Sequence, residues 1–196
     1  YRFVQALGHT VTPTVPALAP LFIEEPWLNE LQGIVVDVPI RTLDLAGRVL
    51  ERRHRPVLFT HKGLSGPAPM DLAGSVEEQR LRGVEATTVE LDFAPGRSTE
   101  SVRDAILAMT KSAPRRFAAQ ALPDDLPERL RLALVRQAGA EFLLSDLPKA
   151  ARSRLVTMIK GAQVSCARSL GFDHAEVTRG GVPLNEVDAK TMASKV

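Results

Sequence analysis

Residues 84–109, VEATTVELDFAPGRSTESVRDAILAM, hold the change of period on which the fold turns. Up to Phe93 the side chains alternate: Val89, Leu91 and Phe93 point one way, Thr88, Glu90 and Asp92 the other. That period of two belongs to a half-buried strand, and Pro95-Gly96 ends it. At Ser98 the spacing changes. Ser98 is suited to cap a helix in which Val102, Ile106 and Met109 share one face.

Working outward toward the C-terminus, the helical spacing persists. A second helix is predicted from about Asp125, with Pro127 in its first turn and Leu130 and Leu134 on one stripe. A third is predicted from Ser145 or Asp146, with Pro148 early and Leu147, Ala151, Leu155 and Ile159 four apart. Three successive helices without intervening strands favour a bundle over βαβ units. Strand character returns at His174–Thr178 and again over Val182–Val187. Toward the N-terminus, YRFVQALGHTV reads as a short helix ending near Gly8, and the proline-spaced stretch Pro13–Pro20 is incompatible with helix interior. Residues 18–24 read as a strand. Residues 31–45 alternate through Val36, Val38 and Ile40, with Pro39 placing that strand at an edge or a bulge. Residues 56–60 form an apolar strand, followed by a short helix over 68–74.

The order is therefore strands, helices, strands: an α+β chain in which a helical subdomain, 98–165, is inserted into an antiparallel β-domain split across 12–97 and 166–190. The strand near residue 176 must then pair with strands distant in sequence. The chain opens on Tyr1, and its last segment reads as a strand, a Gly-Gly turn and a link to further chain. The expectation is an internal piece of a longer protein, closed at neither end.

Composition sets the limits. A hydrophobic fraction of 44% and a charged fraction of 24% are those of a soluble globular protein. The net charge of +2 and the sparse aromatics, without basic–aromatic interleaving, give no reason to expect a nucleic-acid partner. Arg52, Arg53, His54 and Arg55 form the one dense basic cluster, read as a solvated turn rather than a phosphate site. Cys166, the single cysteine, excludes an internal disulfide and reads as a buried thiol. His9, His54 and His174 lack metal spacing, so no metal is expected. No run approaches the roughly 20 apolar residues of a membrane span, and the cytoplasm is the default compartment.

Two glycine-bearing passages carry what chemistry the sequence suggests. In FTHKGLSGPAPM, 59–70, Gly63 and Gly66 free the backbone before a helix N-terminus, a geometry able to cradle an anion or a cofactor edge. Ser65 is placed to cap that helix. The alternative is a tight connection with no ligand. Histidine side chains in general exchange protons near neutral pH, so His61 is a candidate proton donor or acceptor, although no acid lies beside it to orient it. In VTRGGVPL, 177–184, adjacent glycines either admit a flat ligand or make a turn. No nucleophile has a base partner at recognisable spacing, and no GxGxxG follows a strand.

Three passages resemble the aminoacetone oxidase-like (BaiN-type) FAD-binding flavoproteins. Tyr1, Ala6, Leu7, Gly8 and His9 match a helix ending in Leu-Gly-His. Thr60, His61, Gly63, Leu64, Ser65, Gly66, Pro67 and Ala68 match a Thr-His-x-Gly-Leu-Ser-Gly-Pro-Ala segment. Ala175, Val177, Thr178, Gly180, Gly181, Val182, Val187, Thr191, Met192, Ser194 and Lys195 match the run ending in Thr-Met-x-Ser-Lys. Arg179 and Ala193 depart from the family's usual small residue and Glu.

The resemblance implies a β-barrel-like domain with an inserted helical domain, from an oxidoreductase that uses FAD and NAD(P) and acts on a small organic molecule. The Rossmann-like FAD domain, with its dinucleotide motif, would lie outside this chain. Residues 1–11 would be that domain's tail and 191–196 the link back to it. The resemblance points to Thr178, Gly180, Gly181 and Val182 as facing the flavin, and to Thr60, His61, Ser65 and Gly66 as shaping a substrate cleft. The rival is a non-catalytic binding or interaction domain in which both glycine motifs are turns.

Overall fold

A computed structural model describes all 196 residues, Tyr1–Val196. Helix α1 (Arg2–Ala6) leads into β1 (Thr12–Ala17), β2 (Leu21–Phe22) and the short α2 (Pro26–Asn29). Then come β3 (Val35–Leu43), β4 (Val49–Thr60), β5 (Gly63–Ser65), α3 (Pro67–Leu81) and β6 (Thr87–Leu91). The helical run is α4 (Thr99–Ser112), α5 (Glu128–Gln137) and α6 (Lys149–Gly161). The chain ends through β7 (Ala162–Cys166), β8 (Arg168–Ser169) and β9 (Val177–Gly181).

Seven strands form one antiparallel sheet in the order β7-β6-β3-β4-β5-β2-β8. Its outermost strands, β7 and β8, are consecutive in sequence and separated only by Ala167. Adjacent Cα atoms lie about 3.8 Å apart, so one linking residue leaves the two edges nowhere to go but against each other. The sheet therefore curls into a barrel, closed by the chain itself rather than by a ladder of hydrogen bonds.

Helix α3 reaches β2, β3, β4, β5, β6 and β8 of the barrel and β1 of the outer ribbon. Its small buried residues Ala68, Ala73, Gly74 and Ser75 allow this close approach, and Leu72 and Val76 fill the interior. Buried Glu77 projects from the same helix. It accepts hydrogen bonds from Ser169 N (2.7 Å), Ser169 Oγ (2.7 Å) and Arg80 Nε (2.8 Å), which fastens the closing strand β8 to α3. Burial raises the Glu77 carboxyl, but the bonds from Ser169 and Arg80 outweigh it and hold the group below its ordinary value.

The helical run follows its sequence signals closely. Ser98 Oγ accepts from Ser101 N at 3.1 Å, and Val102 and Ile106 are buried. Leu130 and Leu134 face inward on α5, as do Ala151, Leu155 and Ile159 on α6. The run leaves and re-enters the barrel at one place. Phe93 N donates to Ile159 O (2.8 Å), and Lys160 Nζ donates to both Asp92 oxygens (2.9 and 2.7 Å) and to Ala94 O (2.8 Å). A single cluster of 42 buried apolar residues spans barrel and helices, so the two share one core.

Several expectations are corrected. Residues 162–165, assigned on sequence to the helical segment, form a strand: Ala162, Val164 and Cys166 are buried and Gln163 and Ser165 exposed, a period of two. Pro39 sits in a central strand rather than at an edge. Its carbonyl accepts from Asp92 N (3.0 Å), so its missing N–H faces the end of β6, where the ladder has already stopped. Arg52, Arg53, His54 and Arg55 lie within β4 rather than in a turn; the turn is at Asp44–Arg48, where Asp44 Oδ1 accepts from Ala46 N and Arg48 N. Helix α3 extends to Leu81, well past Gly74. Residues 182–187 contain a 3-10 turn, Leu184–Glu186, in place of a strand.

The ends also pair. Strand β1 runs antiparallel to β9 as a two-stranded ribbon, with Thr12 opposite Gly181 and Ala17 opposite Val177. No helix is long and apolar enough to cross a membrane.

Glu77→Gln is expected to cost about 2 kcal/mol in denaturant unfolding, because charge-assisted bonds to a buried acceptor are weakened. A carboxylate held low stabilises the fold above its ordinary pKa, and that contribution fades as pH falls through the folded value. The stability gap between wild type and Glu77→Gln should therefore start to narrow as pH falls below the ordinary carboxylate range and close only below the folded value. Burial pushes the Cys166 thiol up to about 12. A disulfide exchange reagent at pH 8 should consequently label it only as fast as the protein unfolds.

Candidate functional site

The loop between β4 and α3 is built by its own backbone. Thr60 Oγ1 accepts from Lys62 N (3.2 Å) and donates to Gly63 O (3.1 Å), which closes the turn. Gly63 has φ +127, and a Cβ there would stand 2.4 Å from Leu21 O and 2.7 Å from Ile23 N. Only glycine lets β2 pass so close. Ser65, expected to cap α3, instead directs its hydroxyl to Met70 Sδ (3.8 Å), and Gly66 occupies the cap position. His61 is exposed at the turn with no side-chain hydrogen bond. Asp71, as near in sequence as any acid, is engaged by Arg55 (2.9 Å) and Arg53 (3.3 Å).

The second group lies on the ribbon. Gly180 has φ +93, and a Cβ would fall 2.2 Å from Pro13 O, so β1 occupies the space a side chain would need. Thr12 Oγ1 locks this crossing, donating to Gly181 O (3.0 Å) and accepting from Gly181 N (3.1 Å). The ring of Tyr1 lies against Gly181, 3.2 Å from where a Cβ would stand. Val182 is half-buried and Thr178 exposed. Arg179 folds back onto α3, with Nε 2.9 Å from Glu78 Oε1 and its chain packed over Gly74. Gly180 and Arg179 line a cavity of about 390 Å³ with Pro13, Glu78 and Arg82. The two glycine groups thus belong to different sheets, with α3 touching both β5 and β1.

Sequence reading missed one constellation that the fold assembles. His9 Nδ1 lies 2.8 Å from Glu186 Oε2, and His9 Nε2 lies 2.9 Å from Ser194 Oγ. Glu186 also accepts from Thr10 N (3.1 Å) and from the Thr10 hydroxyl. The hydroxyl of Thr10, then His9, hold the Glu186 carboxyl below its ordinary value. Serine, histidine and carboxylate in this order have the connectivity of a hydrolytic triad. Here Ser194 Oγ is also held by Val196 N (3.0 Å) and Val196 O (2.8 Å), so the set works as a clamp between the two terminal segments. The available signal was that His9 and Ser194 both fall in matched motif segments.

A family model described as HI0933-like protein barrel and H2TH domain matches residues 15–177. The chain is 28% identical over 197 residues to a 3-dehydro-bile acid delta(4,6)-reductase of Clostridium scindens, covering 100% of this chain and 48% of that protein. It is 27% identical over 198 residues to the ribosomal RNA dihydrouridine synthase of Escherichia coli, covering 100% and 46%. The enzyme of the same name from Haemophilus influenzae is 26% identical over 197 residues, covering 99% and 45%. The chain spans about half the length of the curated relatives it matches.

Gly180→Ala should cost about 3 kcal/mol, from backbone strain plus the contact with Pro13. Hydrogen exchange is expected to show β1 and β9 losing protection while barrel strands keep theirs; equal protection throughout would contradict the close-approach role.

Proposed function

The chain belongs to the HI0933-like barrel and H2TH family, and we propose that it forms the barrel-and-helix region of an FAD-dependent oxidoreductase acting on a small organic molecule. The observation that carries this reading is the surface made by the two terminal segments. The clamp of His9, Glu186 and Ser194 draws these segments together, yet Tyr1, Phe3, Leu7, Leu184, Met192 and Val196 remain exposed on them. Exposed large apolar side chains gathered on two clamped segments are suited to a second body, and a Rossmann-like flavin domain is the body proposed. One relative is named a reductase and two are named for making dihydrouridine, the reduced form of uridine. Reduction of an organic ring is the activity class these names share.

Only part of the group proposed to face a flavin is open to one. Thr178 is exposed beside the ribbon crossing, and Gly181 packs under Tyr1, but Gly180 is already committed to the approach of β1. FAD, when bound, supplies the redox chemistry, while the chain's own residues orient it and exclude water. His61, exposed and without a competing partner, is the residue proposed to move a proton at the substrate cleft shaped with Thr60, Ser65 and Gly66. The rival, a non-catalytic interaction domain, draws on one specific observation: Gly63 and Gly180 are each required by a neighbouring backbone, whatever ligand is bound.

Expression of the complete gene separates these readings. Bands at about 370 and 450 nm are expected from bound oxidised flavin; a colourless, folded product leaves the interaction domain. In the flavin-loaded protein, His61→Ala is expected to lower turnover by about 10²-fold with flavin retained. Unchanged turnover removes the proton-transfer role.

A further inference from the structure

The helical segment carries an open groove that no part of the oxidoreductase reading uses. One half, of about 160 Å³, is mostly apolar and walled by Phe117, Leu132 and Phe142. The other, of about 390 Å³, holds two guanidinium groups, Arg116 and Arg131, and two carboxylates, Asp124 and Glu128. Phe117 and Leu132 line both halves, which places them side by side. Its apolar floor is open to solvent: Phe117 is 60% exposed, Leu132 47% and Phe142 39%. Such a cluster of large apolar side chains is a mark of a binding surface.

Arg131 gives the groove its chemistry. Its side chain is only 20% exposed, and its Nε is enclosed without an acceptor, the single buried side-chain polar atom in that state in the molecule. Its carboxylate neighbour, Asp124, lies 3.4 Å from Nη1 on a side chain 96% exposed. The enclosed Nε is out of a ligand's reach, so an acceptor entering the groove meets the Nη atoms, of which Nη1 has only the exposed Asp124 as partner. Arg116 stands at the same half, exposed and outside any ion pair. The backbone around it is fixed, since Leu144 N donates to Arg116 O (2.8 Å) and Phe117 N to Gln120 Oε1 (3.1 Å).

We propose that this groove binds a small amphipathic carboxylate, its flat apolar body against Phe117, Leu132 and Phe142 and its carboxylate on the Arg131 guanidinium. The planar fork of arginine matches a carboxylate in two parallel bonds, and an aromatic wall suits a flat ring. The dimensions are those of a small-molecule site. Binding here involves no redox step and stands or falls independently of flavin.

The test is calorimetric titration of the protein with 2-naphthoate and with its neutral counterpart 2-naphthamide. Saturable binding of naphthoate is expected, at least about tenfold tighter than naphthamide. Arg131→Lys should remove that preference by weakening naphthoate about tenfold and leaving naphthamide unchanged. Phe117→Ala, at a largely exposed position, should weaken both by a similar several-fold factor. Equal affinity for the two probes in the wild type, or unaltered naphthoate binding in both variants, overturns the proposal. If Arg131→Lys does not fold, the naphthoate-to-naphthamide ratio and Phe117→Ala still decide. A short oligouridine that binds in a Phe117- and Arg131-dependent way, with no saturable naphthoate binding, would assign the groove to nucleic acid and overturn the carboxylate.

Discussion

The bond set between Glu77 and Ser169 is the constraint from which the rest of the architecture hangs. A two-residue strand, β8, closes a seven-stranded barrel, and two residues provide too few ladder bonds to hold it there unaided. Glu77 supplies what the ladder lacks by accepting from both the amide and the hydroxyl of Ser169. Since a buried carboxylate is tolerable only when its oxygens are occupied, the requirement runs in both directions. The closing strand needs the acid, and the acid needs the closing strand and Arg80.

That closure also determines how the helical segment is carried. β7 is the last strand before Ala167 and the first after α6, so the helices must hand the chain back at the barrel edge. Lys160, on Asp92 and Ala94 O, fixes the return beside the point of departure. With entry and exit tied together and one apolar core running through both parts, the helices are an extension of the barrel and not a tethered lobe. A groove on their surface is therefore held rigidly with respect to the rest of the molecule.

Glycine has two readings in this chain, and backbone geometry decides between them. At Gly63 and Gly180 the excluded volume belongs to a neighbouring main chain, which lies 2.4 and 2.2 Å from where a Cβ would be. A ligand is not needed to explain either residue. Any role proposed for these two places consequently falls to side chains near them: exposed His61 on one loop, Thr178 on the ribbon and Tyr1 packed against it. The clamp of His9, Glu186 and Ser194 brings residues more than 170 positions apart into contact.

By itself the sequence determined what depends on neighbours along the chain. The switch from a period of two to helical spacing at Ser98, the cap there, the prolines that open α5 and α6, and the inward faces of β3, β6 and the three helices all follow from local sterics and side-chain spacing. The division into strands, helices and strands followed in turn. Tertiary structure alone decided the barrel's closure through Ala167, the central place of Pro39, the strand role of the Arg52–Arg55 run, the burial of Glu77 and the meeting of His9 with Ser194. Each of these depends on which distant backbone lies alongside, and no periodicity within one segment records the position of another.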